Sequence, residues 1–332
     1  MKILGYVGDR DLPDVTREDA LMLDTINIAF GHVGKDSALE TKGIRHTDEL
    51  SRIRSYNPDI KFVLSVGGWG AGGFSIMSRT QEGRSIFAES CAGYAFAHGL
   101  DGIDIDWEYP CNDSANIDAH PSDKQNYTLL LDELRKALGQ EKIVSIAAGA
   151  GRYFVRDTEM DKVADICSYV QLMTYDMRSG FCRQSGHHTA PFASKGDDSG
   201  LDTRSITEMF ISAGVPAEKI VIGVAFYSRR WDGVPNVNHG LLQKAATTGN
   251  YGPGYTELVN NWINKNGFTR YFDEDAKAPF LFNGESLISY DDPESVTAKC
   301  EYLKHAGLMG IMYWEHKCDS ERVLLKTMHA CR

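Results

Sequence analysis

Short apolar runs alternate along the chain with longer segments of helical periodicity. Eight runs of about five residues have the near-continuous hydrophobicity of parallel strands that are buried on both faces. These runs are Ile3–Val7, Ile26–Phe30, Phe62–Val66, Gly102–Asp106, Val144–Ala148, Tyr169–Met173, Val221–Ala225 and Gly310–Trp314. Eight strands separated by helices predict a (β/α)8 barrel in the α/β class. The alternative is a doubly wound open sheet, but no Gly-x-Gly-x-x-Gly motif follows a strand to support it.

Polar residues mark where several of the helices begin and end. Ser122-x-x-Gln125 and Ser205-x-x-Glu208 have the pattern of capping boxes. Asp292-Pro293 predicts an N-cap and a first-turn proline, and Gly307 predicts the end of that helix. The helix after Ser122 carries an apolar stripe that consists of Tyr127, Leu130, Leu131, Leu134 and Leu138.

Residues 232–290 interrupt the alternation of strands and helices. The segment is rich in glycine, asparagine and aromatic residues, as in YGPGY and APFLFNG, and it lies between the seventh and eighth predicted strands. We interpret it as a small α+β insertion within a barrel that spans residues 1–332. A length of 332 residues is sufficient for one barrel with such an insertion.

Charge and cysteine content limit the classes of partner and compartment. The formal net charge is −11 and no Lys/Arg cluster stands out, which argues against nucleic acid and anionic membranes as partners. No apolar run approaches the roughly 20 residues of a membrane span. The seven cysteines are scattered without a Cys-x-x-Cys motif, so we expect reduced thiols and no disulfide framework. The N-terminal MKILGYVGDR lacks a signal-peptide pattern, which predicts a cytoplasmic protein, or a secreted one whose signal has been removed.

Residues 101–110, DGIDIDWEYP, place three acids on one face of a predicted strand. Asp104, Asp106 and Glu108 alternate with apolar residues, so their side chains share a face while the apolar side chains share the other. At the carboxyl end of a barrel strand, such acids point toward the usual position of an active site. Stacked carboxyl groups raise one another's pKa, which keeps a general acid protonated near neutral pH. A solvated edge strand is the alternative, but parallel strands are normally covered on both faces.

The stretch DGIDIDWE has the form DxxDxDxE and resembles the signature of glycoside hydrolase family 18, the chitinases and their relatives. Further segments resemble motifs of the same family: SVGGW (65–69), QLMTYD (171–176), GVAFYSRRW (223–231) and GIMYWEHKCD (310–319). In the third of these, Ser228 replaces the usual glycine. The segments HPSDKQNYTLLLDELR and GFTRYFDEDAKAPFLFNG resemble bacterial members that carry a chitinase insertion domain. The resemblance covers nearly the whole chain.

The resemblance implies a retaining mechanism in which the substrate's own acetamido group is the nucleophile. Glu108 would be the general acid and base, Asp106 would hold the acetamido N–H, and Asp104 would share its proton from below. Tyr175 and Asp176 match the pair that orients the acetamido group. The substrate-binding residues implied by the resemblance are Tyr6, Phe30, Trp69, Tyr109, Met173, Tyr227, Arg229 and Trp314, with Trp314 as the floor on which the reacting sugar stacks.

The expected substrates are chitin or N-acetylglucosamine oligosaccharides, the expected assembly is a monomer, and no cofactor is expected. His187, His188 and Cys182 could indicate a metal site, but no second ligand cluster has matching spacing, so we predict no metal. Two other functions remain open. An endo-β-N-acetylglucosaminidase acting on N-glycans would use the same chemistry, and a chitin-binding lectin would lack the acid that Glu108 supplies here.

Overall fold

The computed structural model describes residues 1–332, in which strands and helices alternate as the apolar runs predict. The strands are β1 (Lys2–Gly8), β2 (Thr25–Val33), β3 (Leu39–Glu40), β4 (Lys61–Gly67), β5 (Gly102–Asp106), β6 (Ile143–Gly149), β7 (Tyr169–Met173), β8 (Ile220–Ala225), β9 (Tyr227–Asp232), β10 (Asn250–Gly254), β11 (Thr269–Asp273), β12 (Ala278–Phe282), β13 (Ser286–Ser289) and β14 (Gly310–Trp314). The helices are α1 (Arg17–Met22), α2 (Glu49–Tyr56), α3 (Phe74–Ser78), α4 (Gln81–Ala97), α5 (Asp123–Leu138), α6 (Arg152–Arg156), α7 (Met160–Ile166), α8 (Thr203–Ser212), α9 (Tyr255–Asn261), α10 (Pro293–His305) and α11 (Val323–Ala330).

Eight parallel strands form a closed barrel, in the order β1-β2-β4-β5-β6-β7-β8-β14. The pairing of β1 with both β2 and β14 closes the sheet, so no barrel strand has a free edge. Each of the eight predicted apolar runs lies within one of these strands. The predicted (β/α)8 barrel is therefore confirmed.

Side-chain alternation divides the interior of the molecule into two layers. On β5, Ile103 and Ile105 point outward and pack with Trp107 in the large apolar cluster that includes residues of the surrounding helices. Asp104 and Asp106 point into the barrel and are buried there. The predicted strand periodicity is confirmed for Gly102–Asp106, and it places Asp104 and Asp106 inside the barrel. The strand ends before Glu108, which lies in the loop that follows.

A second sheet of five antiparallel strands, in the order β10-β9-β13-β12-β11, lies between β8 and α10 in the chain. It has its own apolar cluster around Trp231, Phe280 and Leu287. The predicted α+β insertion between the seventh and eighth barrel strands is confirmed. The sheet begins at Tyr227, a few residues before position 232, because the segment that follows β8 continues directly into β9.

Some of the predicted helix caps and ends are confirmed, and others are wrong. Asp292 caps α10 and forms a capping box with Ser295, and Gly307 has a positive φ of 67° just after the helix, as predicted. The prediction for Ser205 is wrong, because α8 begins at Thr203 and Asp202 accepts the backbone N–H of Ser205 at 2.9 Å. Ser122 stands at the N-cap of α5 without a side-chain cap bond, because its hydroxyl bonds the ring of His120 at 2.7 Å.

None of the helices combines the length and the hydrophobicity needed to cross a membrane.

Candidate active site

A cavity of about 1290 Å³ opens at the carboxyl ends of the barrel strands. Twelve of the thirteen predicted site residues line this cavity: Tyr6, Phe30, Trp69, Asp106, Glu108, Tyr109, Met173, Tyr175, Asp176, Tyr227, Arg229 and Trp314. Asp104, the thirteenth, is fully buried beneath them. The barrel thus brings together side chains from β1, β2, β5, β7, β9 and β14, and from the loops that follow strands.

Asp104 is fixed by four hydrogen bonds at the bottom of the site. Its Oδ2 accepts the hydroxyl protons of Tyr6 at 2.9 Å and Ser65 at 2.8 Å. Its Oδ1 accepts from the Ser145 hydroxyl at 2.8 Å and from Nε2 of Gln171 at 3.0 Å. Burial raises the pKa of Asp104, and these four donors oppose that rise by stabilising the carboxylate. Burial outweighs the donors, so the pKa of Asp104 remains above its usual value.

Asp106 lies in a contrasting environment one step higher on the same face. Its Oδ1 is buried without a hydrogen-bond partner. Burial, followed by repulsion from Glu108 and Asp104, raises the pKa of Asp106 well above its usual range. The surroundings of Asp106 therefore favour its neutral form relative to that of an exposed aspartate.

Glu108 stands above Asp106 and is half-buried at the cavity wall. Burial raises the pKa of Glu108 to about 7, and the charge of Asp176 adds to this rise, whereas a hydrogen bond with Tyr109 opposes it. A carboxyl group with a pKa near the working pH can both donate and accept a proton during one catalytic cycle. The loop that carries Glu108 packs closely on the end of β4, since a Cβ at Gly67 (φ 127°) would overlap the carbonyl oxygen of Asp106.

Asp176 and Arg229 form an ion pair in the lining of the cavity. Nε of Arg229 donates to Oδ1 of Asp176 at 2.6 Å, and Nη2 donates to Oδ2 at 2.5 Å. Burial alone would raise the pKa of Asp176, but contacts with His188 and Arg229 outweigh it and hold the pKa well below its usual range. Asp176 is thus a fixed negative charge. Tyr175 beside it is buried, and burial and the neighbouring carboxyl groups raise its pKa, so its hydroxyl stays neutral.

Aromatic side chains form two surfaces around these polar groups. Trp314 packs against Phe30, with ring centroids 5.4 Å apart, and against Tyr6 at 5.7 Å. Across the cavity, the rings of Tyr109 and Phe181 lie 6.2 and 5.9 Å from Trp69, respectively. Trp69 is 54% exposed and Phe181 is 74% exposed, which is unusual for large apolar side chains and typical of sugar-binding surfaces.

Three further aromatic residues line the cavity and were missed by the sequence analysis: Tyr153, Phe181 and Tyr251. Each lies in or beside a loop, where no periodicity identifies its neighbours. Phe181 could have been identified as an aromatic residue within the Gly/Ser-rich loop after Asp176. The YGPGY segment contained Tyr251, but its position beside Trp314 depends on the fold of the insertion.

The two adjacent histidines contact different carboxylates. Nε2 of His187 lies 3.3 Å from Asp273, and Nδ1 of His188 lies 3.4 Å from Asp176. Cys182 bonds a backbone carbonyl in its own loop. Residues 1–332 contain no group of three or more His, Cys, Asp or Glu side chains that could hold a metal ion.

Comparison with known proteins identifies the family. The sequence profile described as Glycosyl hydrolases family 18 matches residues 2–319. The chain belongs to this family. It is 36% identical over 309 residues to Chitinase A1 of Niallia circulans, covering 85% of this chain and 44% of that protein. It is 29% identical to Chitotriosidase-1 of Mus musculus, covering 87% of this chain and 66% of that protein. This family 18 chain therefore spans less than two thirds of the length of these two relatives.

A solved structure matches this family 18 chain over its full length. The family 18 N-acetylglucosaminidase from Paenibacillus barengoltzii is 47% identical, with a TM-score of 0.98, and the match covers 100% of this chain and 99% of that one. The barrel and the inserted sheet are therefore shared with an enzyme of the family.

Proposed function

We propose that this protein is a glycosidase that hydrolyses β-1,4-linked N-acetylglucosamine chains, chitin or chito-oligosaccharides, with retention of configuration. The observation that carries the proposal is the position of Glu108 at the cavity wall directly after β5, next to Asp106, where burial raises the pKa of Glu108 to about 7. A lectin needs no such acid. A carboxyl group poised near neutral pH favours the hydrolase.

Substrate assistance explains why the second carboxyl group, Asp106, lies only two residues before the first. A conventional retaining glycosidase places its nucleophile across the sugar from the acid, about 5–5.5 Å away, and family 18 is an exception to this arrangement. Asp106 is the last residue of β5 and Glu108 follows two positions later, and the pKa of Asp106 is raised well above the usual range. Asp106 is therefore poorly suited as a nucleophile. The carbonyl oxygen of the substrate's acetamido group supplies that role.

In the first step, the acetamido oxygen forms a bond to the anomeric carbon while the bond to the leaving oxygen breaks. Glu108 transfers its proton to that leaving oxygen and becomes a carboxylate. The resulting oxazolinium ion carries a positive charge next to Asp106, which holds the acetamido N–H. The Tyr175 hydroxyl, kept neutral by burial, donates a hydrogen bond to the acetamido oxygen and fixes its direction.

In the second step, the Glu108 carboxylate accepts a proton from a water molecule, which attacks the anomeric carbon from the side that the leaving group vacated. The carbon–oxygen bond of the oxazolinium ring breaks and restores the acetamido group. Two displacements give a product with the β configuration. The pair Asp176–Arg229 keeps a fixed charge near Tyr175 throughout the cycle.

A second candidate within the same chemistry is the release of single N-acetylglucosamine residues. It is favoured by the full-length similarity to the Paenibacillus barengoltzii N-acetylglucosaminidase. Action on N-glycans as an endo-β-N-acetylglucosaminidase is the third, and an N-glycopeptide substrate distinguishes it from both.

The test of the proposal is Glu108→Gln, which removes the proton donor and keeps the size of the side chain. We expect hydrolysis of chito-oligosaccharides to fall by at least about 10²–10⁴-fold, the contribution of general acid–base catalysis. Binding of the oligosaccharide, measured by calorimetry, should change little. Glu159→Gln is the matched control, because Glu159 pairs with Lys162 at the surface, away from the cavity. Turnover of Glu108→Gln within tenfold of the wild type would refute the assignment.

A further inference from the structure

Tyr251, on β10 of the inserted sheet, stands at the edge of the cavity next to Trp314. Its ring is 56% exposed and stacks face to face on Tyr227, with centroids 4.5 Å apart and planes inclined by 7°. The guanidinium of Arg229 lies over the same ring at 5.0 Å. Tyr251 is thus held in one orientation although more than half of its surface faces solvent.

The departure of Ser228 from the usual family glycine helps to fix this position. The buried hydroxyl of Ser228 donates to the carbonyl oxygen of Pro253 at 2.8 Å. This bond spans the irregular part of the ladder between β9 and β10, where the register shifts between Tyr251 and Gly254. A Cβ at Gly252 would overlap the Ser228 hydroxyl, so the two strands approach each other closely here. Ser228 therefore attaches the Tyr251 hairpin to the strand that carries Arg229.

The barrel order shows which end of a substrate faces Tyr251. Glu108 follows β5, and Trp314 ends β14, which is the fourth strand from β5 in either direction around the barrel. The leaving oxygen must lie at Glu108. In a pyranose ring, O4 is at the end opposite the anomeric carbon, so O4 of the reacting sugar points toward the Trp314 side. Tyr251 stands on that side.

The lining of the cavity is unequal on the two sides of the reacting sugar. On the side of Glu108, loops after β5, β6 and β7 contribute most of the lining, including Asn112, Tyr153 and Phe181. On the side of Trp314, the lining comes from Tyr6, Phe30, Tyr227, Arg229 and Tyr251. Space for further sugars therefore lies on the leaving-group side.

We propose that Tyr251 closes the cavity behind the reacting sugar, so that this protein takes N-acetylglucosamine chains by their non-reducing end and releases one residue at a time. This inference rests on the proposed function, and it identifies the residue that selects the terminal sugar. Tyr251 is a specificity-determining residue, because it excludes a preceding sugar and takes no part in the proton transfer.

Two p-nitrophenyl β-glycosides test the inference, one of N-acetylglucosamine and one of N,N′-diacetylchitobiose. For the wild type, we expect a higher kcat/KM for the first, measured as the initial release of nitrophenol. Tyr251→Ala should shift the ratio of the two kcat/KM values toward the disaccharide by at least tenfold. Tyr251→Phe is the matched control, because it keeps the ring and should keep the wild-type ratio. Ser228→Gly should shift the ratio in the same direction as Tyr251→Ala, by a smaller factor.

Chitopentaose labelled at its reducing end provides a second readout. The wild type should first give free monosaccharide and labelled tetrasaccharide, whereas Tyr251→Ala should also give disaccharide and labelled trisaccharide. Disaccharide as the first product of the wild type would overturn the inference and leave the proposed function intact, as would an unchanged ratio in folded Tyr251→Ala. Absence of cleavage of every β-N-acetylglucosaminide by the wild type would overturn the proposed function itself.

Discussion

The carboxyl groups of Asp104, Asp106 and Glu108 have three different environments, and these environments separate their roles. Asp104 accepts four hydrogen bonds, Asp106 has a buried oxygen with no partner, and Glu108 reaches the cavity. Donors stabilise a carboxylate and their absence favours the neutral form, so the environment of Asp106 favours the protonated form more than that of Asp104 does. Glu108 is the group that can exchange its proton with a substrate.

The pH dependence of kcat/KM should report the protonation of Glu108. Because the acid must carry its proton, kcat/KM should fall as the pH rises through about 7. Asp176→Asn removes a negative charge that raises the pKa of Glu108, so this alkaline limb should move to lower pH, by on the order of one unit. Tyr109→Phe removes a hydrogen bond that lowers the same pKa, so the limb should move to higher pH.

Asp176→Glu is the control for the first variant, because it keeps the charge and should leave the alkaline limb in place. The opposite directions of the two shifts are informative, since general damage to the site would lower the rate without moving the limb. If the alkaline limb of both Asp176→Asn and Tyr109→Phe coincided with that of the wild type, the limb would report a group other than Glu108.

At the scale of elements, a buried ion pair joins the end of the insertion to the barrel. Nζ of Lys299 on α10 contacts Oδ2 of Asp291 at 2.7 Å, the Thr189 hydroxyl at 2.7 Å and the Gly223 carbonyl at 3.1 Å. The side chains of Lys299 and Asp291 are fully buried. One ammonium group thus connects α10, β8 and the loop after β7, close behind the ion pair of Asp176.

Lys299→Met should lower the free energy of unfolding by about 3–5 kcal/mol, because it leaves Asp291 as an uncompensated buried charge. The double variant with Asp291→Asn should recover part of this loss, since a neutral amide is less costly to bury. Urea unfolding followed by circular dichroism measures both values. Equal stability of Lys299→Met and the wild type would show that the pair carries no net stabilisation.

Elements with a strong local pattern could be predicted, whereas their caps depended on competition between neighbouring side chains. All eight barrel strands lie where apolar runs predict them, and the stripe of α5 is buried. Ser122 is the N-cap residue of α5 but makes no side-chain cap bond, and the cap predicted at Ser205 is wrong. Asp202 caps α8, and the Ser122 hydroxyl bonds the His120 ring. A capping pattern identifies a hydrogen bond that a serine could form, and the side chains around it in the fold determine which bond it forms.

At the scale of the whole molecule, the barrel assembles the site from residues that are far apart in sequence. Tyr6 and Gln171 are separated by 165 positions and meet at 3.1 Å. The strand motifs located these residues because the carboxyl ends of all eight strands converge. Phe181 and Tyr251 could not be predicted in the same way, because Phe181 lies in a loop and Tyr251 lies on β10 of the inserted sheet, outside the barrel strands.

The redox state of the seven cysteines can be tested on the whole chain. All are free in the structure, and Cys91, Cys167 and Cys300 are buried. Titration with a thiol reagent under denaturing conditions, without reductant, should count seven thiols on freshly purified protein. Under native conditions the three buried thiols should react slowly or not at all. A denatured count of five or fewer would contradict the expected reduced state.

The central claim is that the substrate's own acetamido group is the nucleophile at the site of Glu108. The most direct measurement is kcat/KM for aryl β-glycosides of N-acetylglucosamine whose acetyl methyl group carries zero, one, two or three fluorine atoms. Fluorine withdraws electron density from the carbonyl oxygen, so kcat/KM should fall steeply with each added atom. A carboxylate nucleophile would be insensitive to this change, and a flat series would contradict the account.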